Sequence, residues 1–379
     1  MNSENCGIYI HIPFCRTKCP YCDFYSVVRI HYTDDFTDAL AKEIHLRKKA
    51  VPCRRPHTVY LGGGTPSVLS GRQLHRIVEA LHREYDLSEV KEFTIEANPE
   101  DVSGEKVSFW KEWGINRVSL GTQSFHDGVL KFLGRRNTVS SNIKAIELLK
   151  NKGIENISVD FIYGVPEFRN EFIEDFVRIV GVYAIPHVSA YHLGIEPHTV
   201  FAHKLARGLL KEVSQEESEK QYFLITNLLR ESGFEHYEIS NYARNGKYAV
   251  HNSGYWRGMW YAGYGPSAHS YNGKKRCANI ANLYKYLKAV KNGTPFYECE
   301  NIDVVTAYND YILVSFRTIW GVNLEKIKNM GHKFFRHFTT VLHSKYAGSG
   351  LITKTSVGYR LTDKGMFLSD GIIADFLVV

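Results

Sequence analysis

The sequence predicts an α/β fold: a parallel sheet curved into a partial barrel of six strand–helix units, followed by a mostly helical, winged-helix-like part. Three observations predict it. Six short runs rich in Val, Ile, Phe or Tyr, at 8–12, 58–61, 92–96, 117–120, 157–161 and 187–191, are each followed by Gly, Pro, Asn or Ser. Amphipathic helical patterns separate them, at 33–49, 71–84, 103–112, 139–152 and 168–181. Such alternation demands crossover connections, hence parallel strands with helices on the outer face. The third observation chooses between an open doubly wound sheet and a barrel. A cysteine loop follows the first strand, "GGGTPS" the second, Glu96 ends the third, Gln123 follows the fourth and Asp160 lies near the end of the fifth. Barrels build sites from several strand ends, whereas doubly wound sheets gather them at one switch point, so the barrel fits better.

Beyond the sixth strand, a Glu- and Leu-rich helix at 214–232 ends near Gly233. The pattern then changes to an aromatic, glycine-rich stretch at 251–273. Helices at 303–316, 323–329 and 333–346, two short strands around "LITKTSVGYRLT" and a final helix follow in the order of a winged helix. The expected division is a core at 1–235 and an accessory domain at 236–379, with the winged-helix-like portion at 303–379. Small winged helices often make protein contacts, and nucleic-acid binding is not expected here.

Length and composition agree with this plan. At 379 residues the chain exceeds one ordinary core, and 44% hydrophobic with 23% charged residues is the balance of a globular protein. Forty-seven Lys and Arg against 40 Asp and Glu leave +7, a mild charge whose local runs read as solvated faces and leave room only for weak anion or peripheral membrane contact. No run of about 18 apolar residues suggests a membrane span, and the amino terminus lacks the n- and h-regions of a secretory signal. Seven cysteines, an odd number with three clustered, suit a reducing cytoplasm better than a disulfide framework.

That cluster carries the chemistry. Cys15-x3-Cys19-x2-Cys22 supplies three thiols in one loop directly after a strand. Zinc is one candidate, but structural zinc sites normally draw their ligands as two pairs. Close Cys-x3-Cys and Cys-x2-Cys spacings instead suit successive corners of a cubic iron–sulfur cluster, with one iron left for an external ligand.

With "YLGGGTPS" after the second strand, this loop resembles the radical S-adenosylmethionine (SAM) superfamily. "TIEANPE", "VSLGTQSF", "VDFIYGVP" and "SAYHLGIEP" narrow the resemblance to the branch that holds oxygen-independent coproporphyrinogen III oxidase and its haem-chaperone relatives. The resemblance implies a partial (β/α)6 radical SAM barrel with Cys15, Cys19 and Cys22 on a [4Fe–4S] cluster whose fourth iron SAM chelates. It places Tyr9, Tyr21, Gly63, Gly64, Thr65, Glu96, Gln123, Arg135 and Asp160 around SAM. Glycine suits a backbone that must approach a ligand closely. Arg136 stands beside Arg135 as an alternative. Two departures concern the barrel mouth: Asn137 stands where the branch often has His, and "EFRNE" replaces the usual Gly-Gln after "IYGVP".

Within the branch, the oxidases carry a further Cys where this chain has Phe24, and a long segment before the first strand. The chaperones share His-Asn-x-x-Tyr-Trp, present as "HNSGYW" at 251–256. His251, Asn252, Tyr255 and Trp256 are therefore the expected haem contacts: an imidazole for iron and planar rings for the porphyrin face. Cys277 and His269 remain other axial candidates. The resemblance thus implies a cytoplasmic haem chaperone that binds a [4Fe–4S] cluster, SAM and haem, serves haem-acceptor proteins, respiratory ones among them, and lacks substantial oxidase activity.

Overall fold

The structure, a computed structural model, describes residues 6–49, 51–166 and 168–378. Six parallel strands run side by side: β1 (Cys6–Ile12), β2 (Thr58–Gly63), β3 (Glu92–Ala97), β4 (Arg117–Gln123), β5 (Asn156–Tyr163) and β6 (His187–His192). Helices α1 (Thr33–Arg47), α2 (Gly71–Glu84), α3 (Gly104–Glu112), α4 (Asp127–Phe132), α5 (Val139–Asn151) and α6 (Asn170–Val182) connect them, followed by α7 (Val200–Ala206) and α8 (Gln215–Glu231). Helix starts follow local chemistry. Ser70 and Thr138 close reciprocal capping boxes on α2 and α5, and Ser103 and Ser214 cap α3 and α8.

Alternation along the strands makes the barrel. Ile8, Ile10 and Ile12, with Val59, Leu61, Phe93, Ile95, Val118, Leu120, Val159 and Val188, join the core beneath the helices. The intervening positions, Tyr9, Tyr60, Thr94, Glu96, Arg117, Ser119, Ser158, Asp160, His187 and Ser189, are polar and share the opposite face, the lumen. All six predicted strands, and the five helices predicted between them, are present.

The sheet does not stop at residue 235, which corrects the expected division of the chain. β7 (Glu235–Glu238) and β8 (Asn241–Ala243) extend it, β8 antiparallel to β6. The chain then crosses beneath the barrel as α9 (Val250–Trp256) and returns as β9 (Trp260–Tyr264), which pairs parallel with β1. β10 (His269–Tyr271), β11 (Lys275–Asn279) and β12 (Tyr297–Asn301) add antiparallel strands, with α10 (Leu283–Asn292) between the last two. The result is one twelve-stranded sheet. Tyr242, Ala262, Tyr264, Tyr286 and Phe296 belong to the barrel's own core. A second core begins only with α11 (Val304–Phe316). It comprises β13 (Val322–Asn323), α12 (Leu324–Met330), α13 (His332–Val341), β14 (Ile352–Lys354), β15 (Gly358–Leu361), α14 (Asp363–Phe367) and α15 (Ser369–Phe376), with strand order β13-β15-β14. That is the predicted winged-helix order.

The cysteines also depart from expectation. Cys6 and Cys53 form a disulfide, as do Cys277 and Cys299. The reason is position: β11 and β12 pair with Cys277 directly opposite Cys299, their Cα atoms 4.0 Å apart. Among the described residues, only Cys15, Cys19 and Cys22 are free.

Candidate functional site at the barrel mouth

The three free thiols lie on the loop that leaves β1 at the mouth of the barrel, each half-buried. Both ends of this loop are pinned. Cys15 N donates to Val27 O at 3.0 Å and Val27 N to Pro13 O at 2.7 Å. The His11 ring lies 2.9 Å from Tyr25 O through Nε2 and 3.1 Å from the Tyr9 hydroxyl through Nδ1. The end of β2 is stitched to the same loop: Gly64 N donates to Ile12 O at 2.9 Å and Thr65 N to Phe14 O at 2.8 Å. Gly63 has φ +109°, and a Cβ there would lie 2.6 Å from the His11 ring. A Cβ on Gly64 would lie 2.7 Å from Phe14 O. Only glycine lets these two segments approach.

Two hydrogen-bond donors reach the thiols. Thr65 Oγ1 donates to Cys15 Sγ at 3.3 Å, and Arg135 Nη1 to Cys19 Sγ at 3.6 Å. Burial pushes the Cys15 and Cys22 thiols up from their ordinary pKa. Three sulfur donors with hydrogen-bond support and no fourth protein ligand suit a group that binds thiolates at several corners. Among the described residues, no three of His, Cys, Asp or Glu are gathered so as to hold a single metal ion.

A polar wall faces the loop. Glu96 accepts from Tyr60 Oη at 2.7 Å and from Gly63 N at 3.1 Å. Burial raises its pKa, and the two donors pull the other way. Asp160 is pushed up to about 7 by burial first and by the neighbouring Glu96 second. Gln123 adopts φ +60°, a left-handed conformation uncommon for its type, where the β4–β5 register slips. Arg135, not Arg136, takes the inward role: Nη2 donates to Asn98 Oδ1 at 2.7 Å and Gly121 O at 2.8 Å. Its Nε donates to Asn137 Oδ1 at 3.0 Å, and buried Asn137 is itself tied to Thr122 O and Asn142 Oδ1. The unusual Asn137 is thus a clamp on Arg135. In "EFRNE", Glu167 lies outside the described residues.

The structure therefore brings Tyr9, Gly63, Gly64, Thr65, Glu96, Gln123, Arg135 and Asp160 to the loop and lumen side of the barrel. Tyr21 differs slightly, packing its ring 6.4 Å from Phe201 in a satellite apolar cluster that backs the loop. His11, Tyr60 and Asn98 join the site without having been expected. The first two fall on lumen positions by strand alternation, a signal present in the sequence; Asn98 has none.

The "HNSGYW" segment is elsewhere. α9 lies at the foot of the barrel, where Val250 N and His251 N donate to the Glu92 carboxylate at 2.8 and 2.9 Å. His251 is fully buried, with Nδ1 2.8 Å from Thr58 Oγ1, Nε2 2.7 Å from the Tyr255 hydroxyl and its ring stacked on Tyr60. Burial lowers its pKa to about 3. Both ring nitrogens of His251 thus have hydroxyl partners in this conformation. Tyr255 is its hydrogen-bond partner, and half-buried Asn252 and Trp256 share the same short helix.

Comparison with known proteins fits this geometry. Residues 9–180 match the Radical SAM superfamily model. The chain is 34% identical to the heme chaperone HemW of Lactococcus lactis, covering 98% of this chain and 97% of that protein. It is 32% identical to the heme chaperone HemW of Bacillus subtilis, covering 97% and 98%. In structure it matches the coproporphyrinogen III oxidase HemN of Escherichia coli with a TM-score of 0.83, at 22% identity, over 99% of this chain and 91% of that one.

Proposed function

The chain belongs to the radical SAM superfamily, in the family of the heme chaperone HemW, and on that premise we propose that it binds a [4Fe–4S] cluster, SAM and haem and passes the haem to acceptor proteins. One observation carries the cofactor part: three free, half-buried thiols on a loop pinned at both ends, facing a polar wall at the barrel mouth. Cys15, Cys19 and Cys22 hold the cluster. When bound, it supplies an electron for cleaving a C–S bond of SAM.

The remaining steps belong to this chain's residues. Thr65 and Arg135 stabilise thiolate at Cys15 and Cys19 by donating hydrogen bonds to sulfur. Gly63 and Gly64 leave room for a ligand's polar end beside the backbone, and Glu96 and Asp160 receive its amine or ribose hydroxyls, oriented by Tyr60 and Ser189. Tyr9 and Gln123 complete the wall, with Tyr21 behind the loop. Phe24, 72% exposed, supplies no further sulfur ligand, which supports the chaperone reading over an oxidase. No helix among the described residues is long and apolar enough to cross a membrane, and a cytoplasmic protein serving acceptors by contact is the reading we adopt.

Anaerobic reconstitution followed by iron and sulfide analysis tests the cofactor part. One four-iron cluster per chain, lost on replacing Cys15, Cys19 and Cys22 with Ala, is expected. Coproporphyrinogen turnover comparable with a genuine oxidase would sink the chaperone reading.

A further inference from the structure

An electron spent on a C–S bond must be returned by a donor that reaches the cysteine loop, and the outer surface of that loop offers such a donor a seat. Phe24 follows Cys22 by two residues, which holds their Cα atoms within about 7 Å of each other. Its side chain is 72% exposed, and Val28 and Tyr284 are exposed as well. We propose that this patch is the docking surface for a small acidic protein that carries one electron at a time, an inference that rests on the cluster-binding reading above.

The loop and α10 form one continuous surface. Leu283 N donates to the Tyr25 hydroxyl at 2.5 Å, which ties the chain after Cys22 to the start of that helix. A groove of about 170 Å3 runs between them, lined by Tyr25 and Val27 from the loop and by Leu283 and Leu287 from the helix. Asn282 caps α10 by accepting from Lys285 N, and Leu283, Tyr286 and Val290 fill its buried side. Tyr284, Lys285 and Lys288 are left facing outward. Among the described residues, neither Phe24 nor Tyr284 belongs to a buried cluster. Exposed apolar groups gathered inside a polar rim mark a place of contact with another macromolecule.

The rim is cationic. Lys18 in the cysteine loop, Arg29 at its end, and Lys285 and Lys288 on α10 are all exposed. Asp23 is the acid beside Phe24, and the cations outweigh it. An apolar centre in a rim of one sign is the anatomy of a transient interface, and the rim steers a partner of opposite charge. Electron-transfer encounters are small, under about 1,200 Å2 in total, so one loop and one helix suffice. Position selects the class of partner: contact here sets a redox centre beside the three thiols, which neither a lipid surface nor a second copy would use. The step moves a single electron. The carrier is oxidised by one, the cluster is reduced by one, and no bond or proton is transferred.

The test uses the anaerobically reconstituted full chain, with a flavodoxin, a small acidic flavoprotein, as the probe. Binding is read by flavin fluorescence at low and high ionic strength, and cluster reduction by stopped-flow absorbance with either flavodoxin or dithionite as donor. Lys285→Glu combined with Lys288→Glu should weaken binding by about tenfold at low salt and by less at high salt. It should slow reduction by flavodoxin but not by dithionite. Phe24→Ser should weaken binding at both salt levels, with iron content and dithionite reduction unchanged. Lys354→Glu combined with Lys364→Glu, the same change of charge at exposed positions of the C-terminal unit, should leave binding as it was. Unaltered flavodoxin binding in the first two variants, or equal weakening in the third, would overturn this surface. So would loss of anionic-vesicle binding or of a chain dimer in the first two while flavodoxin binding stays intact. A chain that assembles no cluster would overturn the functional reading and this proposal together, whereas a loaded chain indifferent to the substitutions overturns the surface alone.

Discussion

Asp160 shows how a single buried carboxyl makes the site pH-sensitive. Its folded pKa of about 7 stands above the ordinary 3.8, so its contribution to stability is complete below about pH 4 and is lost as pH rises to about 7. Asp160→Asn removes the titration; the urea midpoint of the cluster-free chain, falling over that window in the unmodified protein, should become flatter. A slope unchanged by the substitution would contradict the assignment. Gly64 makes a steric prediction. Alanine there puts a methyl 2.7 Å from Phe14 O, so Gly64→Ala should cost about 1–3 kcal/mol and reduce cluster loading, measured by thermal melting and iron content. At this scale the sequence was most informative where spacing does the work. The cysteines and "GGGT" are legible because their chemistry needs fixed intervals. Asn98 and Asn137 were not, because a clamp on Arg135 can be built from any polar side chain the fold happens to deliver.

Helix α1 is tied to the sheet's far extension by one buried carboxylate. Glu43 accepts from Arg47 at 2.7 Å, Asn279 at 2.7 Å, Tyr286 at 2.6 Å and Gly265 N at 2.8 Å. Removing it leaves Arg47 buried without its charge partner, so Glu43→Ala should cost about 3–5 kcal/mol, read by denaturant melts. A loss below about 1 kcal/mol would show that the network is incidental. α9 gives the second prediction at this scale. His251→Ala leaves the Thr58 and Tyr255 hydroxyls without their partner in the interior, so it should destabilise the chain by about 2 kcal/mol or more, read by denaturant melts. A loss below about 0.5 kcal/mol would show that the buried imidazole is not an anchor of this helix. The five helices predicted between the barrel strands were legible because each has an apolar stripe. α9 and the strands β7 to β12 were not: they are short, aromatic and glycine-rich, and their partners are distant in sequence. Gly7, for instance, makes room for His251, and only the tertiary fold reveals it.

The molecule as a whole is a barrel whose sheet is extended at both edges by the segment after β6, with a winged-helix unit whose first helix, α11, packs against α9. Strand–helix alternation predicted the barrel because each unit is locally encoded. The domain boundary was misplaced at 235 because a change of composition marks a change of strand type here, not the end of a core. The two disulfides were missed for a related reason, since the pairing of Cys277 with Cys299 is a matter of sheet register. The most direct measurement is a haem titration of the anaerobically reconstituted full chain, with the cluster followed in the same sample. Saturation at one haem per chain, with the cluster retained, is the predicted result; the absence of any saturable haem binding would contradict the account.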